Sequence, residues 1–400
     1  MTMKKYWRTI LISFIVVAII GTYYFQKVAM ASKNDVSFKI ETTSGNKEEI
    51  ENLILHTRYQ SGDSLRWFYI TKDSSTNMIN QSFFEDLLAS NEHEILEEFI
   101  QEYRGFMRGK ELNPNMYFEQ NTRLIYATFL DNGRKERQGS FLTLQIDTLD
   151  KNTNDSSFFE IDTPVQANYD WINVKDIYVG NGKIKILATN YLYNGGEELH
   201  IYTIDEDKKE LENDSIIAKL ASEERVNGIR VFNANDNIQN QDYYLYMVEK
   251  FGKHKGDGER EITSSQIYLY NNVTNEQEEW IIPDELKPYR KSIVMHGANI
   301  FIPVYSANGL KLHRYTIEKK QWEEPFIINY ESTANDNEIP FLQITDSKLY
   351  LVNHMTDGYA LFINDLRTGE SLYEGKIVNG KKENQDPDYS LYIEQVYSNY

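Results

Sequence analysis

The run Asp150-Lys151-Asn152-Thr153-Asn154-Asp155 puts side-chain oxygens at the first, third and fifth positions of a short loop. That spacing lets Asp150, Asn152 and Asn154 converge on one hard cation, and calcium is the ion that oxygen ligands of this kind take. The sixth position is Asp155, not the glycine of a sharp calcium-loop turn, and the twelfth is Ile161, not a bidentate glutamate. Those departures favour a polar hairpin loop over a metal site. The stretch 233–242, NANDNIQNQD, is a weaker version of the same pattern. No cofactor other than this calcium candidate is expected.

The remaining chemistry is sparse. The seven histidines, His56, His93, His200, His254, His296, His313 and His354, form no H-E-x-x-H pair. His200 and His313 occupy the same place in a phrase that occurs twice, and a strand surface is the expected setting for both. The sequence holds no G-x-S-x-G elbow, P-loop or G-x-G-x-x-G fingerprint. The Gly-rich loop 252–260 lies between strand-like runs, so it lacks the helix that a phosphate cradle needs. Carboxylates are abundant, and a pair about 5–10 Å apart on separate strands could serve a glycan hydrolase. Sequence does not say which acids would meet. The absence of cysteine excludes disulfides, thiolate metal sites, a cysteine nucleophile and a lipidated-cysteine anchor.

The formal net charge is −19. The first 31 residues carry Lys4, Lys5, Arg8 and Lys27 and no acid, which leaves −23 for the rest. A body of that sign repels nucleic acid and anionic polymers, so no nucleic-acid partner is expected. Hydrophobic residues make up 40%, enough for a packed interior. The 29 tyrosines favour strands, where the ring covers a pleated surface and the hydroxyl stays wet.

The amino terminus predicts the compartment. A basic start precedes an apolar run from Ile10 to Ile20, with Trp7 on one side and Tyr23, Tyr24 and Phe25 on the other. Thr9–Phe25 therefore predicts a retained membrane anchor with interfacial aromatics. Residues 1–31 are a cytoplasmic tail and signal-anchor helix, and the body lies outside the cytoplasm. The alternative is cleavage after Ala31 and secretion. Lys27 is a poor neighbour for a cleavage site.

Two segments follow. Residues 32–115 read as mixed α/β. Strands are expected at Val36–Ile40 and Leu65–Ile70, a helix start at Asn46 with Ile50, Leu53 and Ile54 on one face, and one or two helices between 81 and 108. Residues 116–400 change character. Short alternating runs are separated by Asn, Asp, Gly and Lys clusters, with helical spacing only near Ile216–Arg225.

Within this segment one phrase recurs: FLTLQIDTLDKN to Asp147, LHIYTIDEDKKE to Asp205, SQIYLYNNVTNE to Asn271, LHRYTIEKKQWE to Glu318 and YALFINDLRTGE to Asn364. Each alternates, reaches an acid or amide, then turns. A partner strand precedes each phrase, starting at Arg123, Lys183, Tyr243, Asn299 and Lys348. The imperfect alternation of Leu391, Ile393 and Val396 fits a tail strand that completes a sheet begun near the amino end.

This pattern resembles β-propeller repeat proteins in architecture, without a Trp-Asp or kelch signature. The resemblance implies a mainly β protein of about five to seven blades, to which the residues before it add an expected amino-terminal transmembrane helix and a small helical insertion. Multiple β-sandwich domains are the alternative. The function expected is a membrane-tethered, extracytoplasmic, non-catalytic module that presents loops to a protein or envelope ligand. The competing expectation is an exported glycan-acting hydrolase or lyase with carboxylates in a central funnel.

Overall fold

The computed structural model describes residues 36–62, 64–77, 94–131, 142–163, 169–193, 195–221, 228–232, 238–252, 262–306, 309–330, 339–355, 358–380 and 389–398, with Trp7, Val16 and Thr22 singly. The chain forms two compact units. One comprises Met1–Leu87, Glu331–Gln343 and Ser347–Tyr400; the other comprises Leu88–Tyr330 and Ile344–Asp346.

From Phe38 onward alternation becomes strand almost everywhere. The chain opens with β1 (Phe38–Gly45), β2 (Leu53–Ser61), β3 (Ser64–Ile70) and β4 (Ser75–Asn77). Helices α1 (Glu94–Glu102) and α2 (Arg104–Met107) follow. Then come four meanders: β5 (Tyr117–Gln120), β6 (Arg123–Asp131), β7 (Leu142–Asp150) and β8 (Ser156–Asp162); β9 (Tyr169–Gly180), β10 (Lys183–Leu192), β11 (Glu197–Asp205) and β12 (Glu210–Leu220); β13 (Ile229–Val231), β14 (Tyr243–Phe251), β15 (Ile262–Asn271) and β16 (Glu276–Glu279); and β17 (Val294–His296), β18 (Asn299–Ser306) and β19 (Gly309–Thr316) with a split outer strand, β20 (Gln321–Trp322) and β21 (Phe326–Asn329). The chain ends with β22 (Phe341–Thr345), β23 (Lys348–Met355), β24 (Gly358–Asp365), β25 (Ser371–Asn379) and β26 (Tyr389–Ser398).

In the Leu88–Tyr330 unit each meander packs on the next. One core draws on β5–β7 and β9–β11, with α1 and α2 adding Leu96, Phe99, Phe106 and Met107. A second joins Leu187, Leu199 and Ile201 to Tyr244, Tyr246 and Tyr270. A third joins Leu245, Met247 and Ile267 to Met295, Ile300 and Ile302. In the other unit the sheets are β1-β25-β24-β23-β22 and β26-β2-β3-β4. They share a core of Phe38, Leu55, Phe68, Tyr350, Leu361 and Tyr373. Apart from the pairings of β1 with β25 and of β26 with β2, and the split strand β20/β21, sequence neighbours are sheet neighbours, which matches the repeat expected from sequence. Tyr202, Tyr244 and Tyr373 are buried, so these rings build the interior, in contrast to the wet hydroxyls expected of them.

The five partner strands begin at the expected residues, as β6, β10, β14, β18 and β23, and the recurring phrases become β7, β11, β15, β19 and β24. The tail strand β26 does pair with β2, from Leu53↔Ser398 to Ser61↔Tyr389. Two local expectations are corrected. Asn46 caps one 3-10 turn, Lys47–Ile50, by accepting the Glu48 N–H at 3.1 Å, and Leu53 and Ile54 then enter β2. Ile216 lies in β12, not in a helix. Residues 78–93, where part of the helical pattern falls, lie outside the described residues, as does the apolar run Ile10–Ile20 except for Val16. Among the described residues no helix is long and apolar enough to cross a membrane.

The acid or amide that ends the phrase has a physical role. The Asp150 Oδ1 accepts the Asn152 and Thr153 N–H groups at 2.8 and 3.1 Å. Asn271 does the same for Val273 and Thr274, and Asp365 for Arg367 and Thr368. Asp205 accepts from Lys208. Four residues after each cap the chain enters the left-handed region, at Asn154, Lys209, Asn275 and Gly369, and donates its N–H to the cap residue's carbonyl at 2.8–2.9 Å. Thr316 holds the equivalent place in β19, opposite Asn299, with Lys320 left-handed four residues on. The structural repeat thus runs Asp150, Asp205, Asn271, Thr316, Asp365. Asp147, Glu318 and Asn364 fall out of that register. His313 consequently lies two residues further along its strand than His200, a slip that keeps the same face.

The glycines that open β19 and β24 answer a close approach. Gly309 and Gly358 have φ of 149° and 133°, and a Cβ there would press on the Ile328 and Ile377 carbonyls of the outer strands.

Asp365→Ala removes a cap and is expected to cost about 1 kcal/mol in urea unfolding, in line with other side-chain caps. Asp365→Asn keeps the acceptor and should recover most of that loss. An equal loss in both variants would refute the capping role.

Candidate functional site

A cleft with convergent polar groups lies between the β9–β12 and β13–β16 sheets, within one unit, and has a volume of about 570 Å³. Lys185 on β10 forms its floor, paired across the sheet with Tyr178 on β9 and Thr203 on β11. The opposite wall is the capped turn after β15. There Asn271 fixes the loop so that Asn272 and the left-handed Asn275 face Lys185. The Lys185 Nζ donates to the Asn272 carbonyl and to Asn275 Oδ1, the latter at 2.6 Å. The Tyr270 hydroxyl donates to the same Oδ1 at 3.2 Å. The Tyr178 ring centroid is 5.6 Å from Nζ.

The two lysines of the cleft differ. Lys183 is paired with Asp205 at 2.7 Å and Glu212 at 2.9 Å, and those partners, Asp205 first, raise its pKa. Lys185 is 8% exposed, and burial lowers its pKa. Its hydrogen-bond partners are neutral oxygens, and among the described residues no carboxylate forms an ion pair with it.

Behind the cleft lies a second ionisable group. A bulge in β9 sets Asp176 opposite Leu187 while Val174 falls opposite Ala188, with Lys175 as the extra residue. Bulges of this kind re-aim side chains. Asp176 thereby faces the β13–β16 sheet, beside the buried Tyr244, whose hydroxyl approaches without closing a hydrogen bond. Burial pushes the Asp176 carboxyl up to about 7, against the opposing influence of Tyr244 and the Ile177 N–H. Asp176 does not line the cleft.

The other face of the β9–β12 sheet holds a histidine between two acids. His200 is 1% exposed, not on a surface as the sequence reading expects. Its Nδ1 is 2.6 Å from Asp214 Oδ1 and its Nε2 is 3.0 Å from Glu198 Oε2. Tyr169 donates to the same Glu198 oxygen at 2.9 Å, and Lys219 reaches the other at 2.5 Å. Burial pushes the Glu198 carboxyl up, but Lys219, His200 and Tyr169 outweigh it and hold it below the usual range. Both ring nitrogens are engaged, so this cluster reads as a polar strut. His313 is half-buried, and burial lowers its pKa.

Asp150, Asn152 and Asn154 sit in the turn between β7 and β8. Asp150 Oδ1 is directed at two backbone N–H groups there and Asn154 is the left-handed residue. Among the described residues no group of three His, Asp or Glu side chains could hold a metal ion. Sequence reasoning missed Lys185. The alternation Lys183-Ile184-Lys185-Ile186 reads as one wet face, yet a central strand in a stack of sheets is covered on both sides.

No family model matches the chain, and no curated protein matches it. Among solved structures it is similar to an apocarotenoid oxygenase from Synechocystis, at 7% identity and TM-score 0.38, over 90% of this chain and 96% of that one. It is also similar to TolB from Acinetobacter baumannii, at 9% and 0.30, over 83% of this chain and 65% of that one. A third likeness is to the β-propeller domain of the trilobed protease from Pyrococcus furiosus, at 11% and 0.25, over 64% and 80%. At these scores the likenesses carry no inference about activity.

At Asp176 the folded protein holds a proton that the unfolded chain releases above about pH 3.9. The stabilisation from this protonated group is therefore present below that value and lost as pH rises through about 7. Asp176→Asn should gain stability on the wild type as pH goes from 5 to 8, read by urea unfolding; parallel pH profiles would exclude the assignment. His200→Leu takes one partner from Glu198, which keeps Lys219 and Tyr169, and the histidine contact from Asp214, and should cost about 2 kcal/mol. A loss much smaller than that would mean the acids are already solvated.

Proposed function

We propose that the protein is a membrane-tethered, extracytoplasmic binding module of β-propeller type, which takes its ligand in the cleft floored by Lys185. The observation that carries this reading is the chemistry of the cleft. Its walls offer amides, hydroxyls and two tyrosine rings, and its carboxylate, Glu212, is paired with Lys183 at 2.9 Å. The carboxyl poised near neutrality, Asp176, stands behind the wall. A site with recognition groups and no acid–base pair facing the ligand favours binding over turnover.

The six sheets among the described residues and the pairing of β26 with β2 support the propeller reading, since such pairing brings an early and a late strand into one sheet. The apolar run Ile10–Ile20 behind Lys4, Lys5 and Arg8 supports tethering with the body outside. Secretion after cleavage at Ala31 is the alternative topology.

Protease treatment of intact cells, followed by alkaline carbonate extraction of membranes, tests the placement. The body should be digested from outside, and the undigested chain should stay with the membrane pellet. A protected body found in the cytosolic fraction would reject the proposal.

A further inference from the structure

The cleft's charge arrangement goes further than its shape. A buried ammonium is costly unless an opposite charge answers it. Lys183 has two carboxylates, whereas Lys185, two residues along the same strand and more deeply buried, has carbonyl oxygens and a tyrosine ring. Those oxygens take at most two of the three ammonium protons. The cleft opens directly over this group.

Resting on the binding-module reading, we infer that Lys185 is the receptor for an oxyanion on a small hydroxylated ligand, with Tyr178 and Tyr270 flanking the ligand and Asn272 and Asn275 holding the lysine in place. The volume of about 570 Å³ suits a molecule of one to two sugar rings. The net charge of −19 opposes long anionic polymers, so the anion is a local feature of a small ligand. The lowered pKa of Lys185 agrees with this, because burial disfavours its charge and an adjacent anion would favour it.

The test uses the full chain in detergent and three probes of matched ring size: glucuronate, glucose 1-phosphate and glucose. Calorimetry should show at least one anion binding about tenfold more tightly than glucose, the difference made by a charge-assisted hydrogen bond. Which anion wins separates a carboxylate from a phosphate source. Lys185→Met should abolish that preference and Lys185→Arg should retain part of it. Lys208→Met, which removes the same charge from an exposed turn residue, should leave it unchanged. If Lys185→Met does not fold, the Lys185 Cε–Hε resonance of the wild type supplies the answer: it should move with the preferred anion and not with glucose. Glucose binding as tightly as both anions, an anion preference that survives in Lys185→Met, or an unmoved resonance would overturn the inference. Such failures leave the placement of the body untouched, and a cytosolic body leaves the anion contact untouched, so the two readings fail separately.

Discussion

A four-stranded antiparallel sheet has two faces, and in this protein both must be covered. Strand β10 shows the constraint in its strongest form: Ile184 through Asn190 are buried without interruption, whichever way each side chain points. Ile184, Ile186 and Ala188 meet the β5–β8 sheet, and Leu187 meets the β13–β16 sheet. Isolated, such a sheet would leave half of its apolar residues in water. Stacking supplies the missing cover, and this requirement explains why the same strand-and-turn unit is repeated along the chain.

Coverage on both sides forces polar residues into the interior, and each is accommodated differently. His200 is held between Glu198 and Asp214. Lys183 sits at the rim with two carboxylates. Asp176 is turned inward by a bulge and responds by favouring its neutral form. Lys185 meets neutral oxygens, and burial lowers its pKa. These residues share one sheet: His200 and Lys183 take their partners from its own strands β11 and β12, and Lys185 takes its partners from the turn after β15.

Much of the architecture was legible because alternation and turn chemistry are local. The starts of β6, β10, β14, β18 and β23 are readable from where the polar clusters end. The inner strands β5, β9, β13, β17 and β22 were not foreseen, since β13 and β17 have three residues each and carry too little pattern. The repeat was read in the wrong register at Asp147, Glu318 and Asn364, because sequence likeness follows side-chain type whereas the fold follows the capped turn. The cleft was invisible for a different reason. Lys185, Asn272 and Asn275 are close through the packing of two sheets, and no spacing along the chain records that. The Asp150 loop stood out in sequence for the oxygen atoms that, in the structure, organise a hairpin.

The two ends of the chain carry a consequence for biosynthesis. Strand β1 lies on β25, and Thr42 meets Tyr373 across 331 positions of sequence. Strand β2 waits for β26 in the same way. A ribosome working from the amino end therefore releases two orphan edges early and supplies their mates much later. A chain cut before Tyr389 lacks β26 altogether and leaves β2 open on that side.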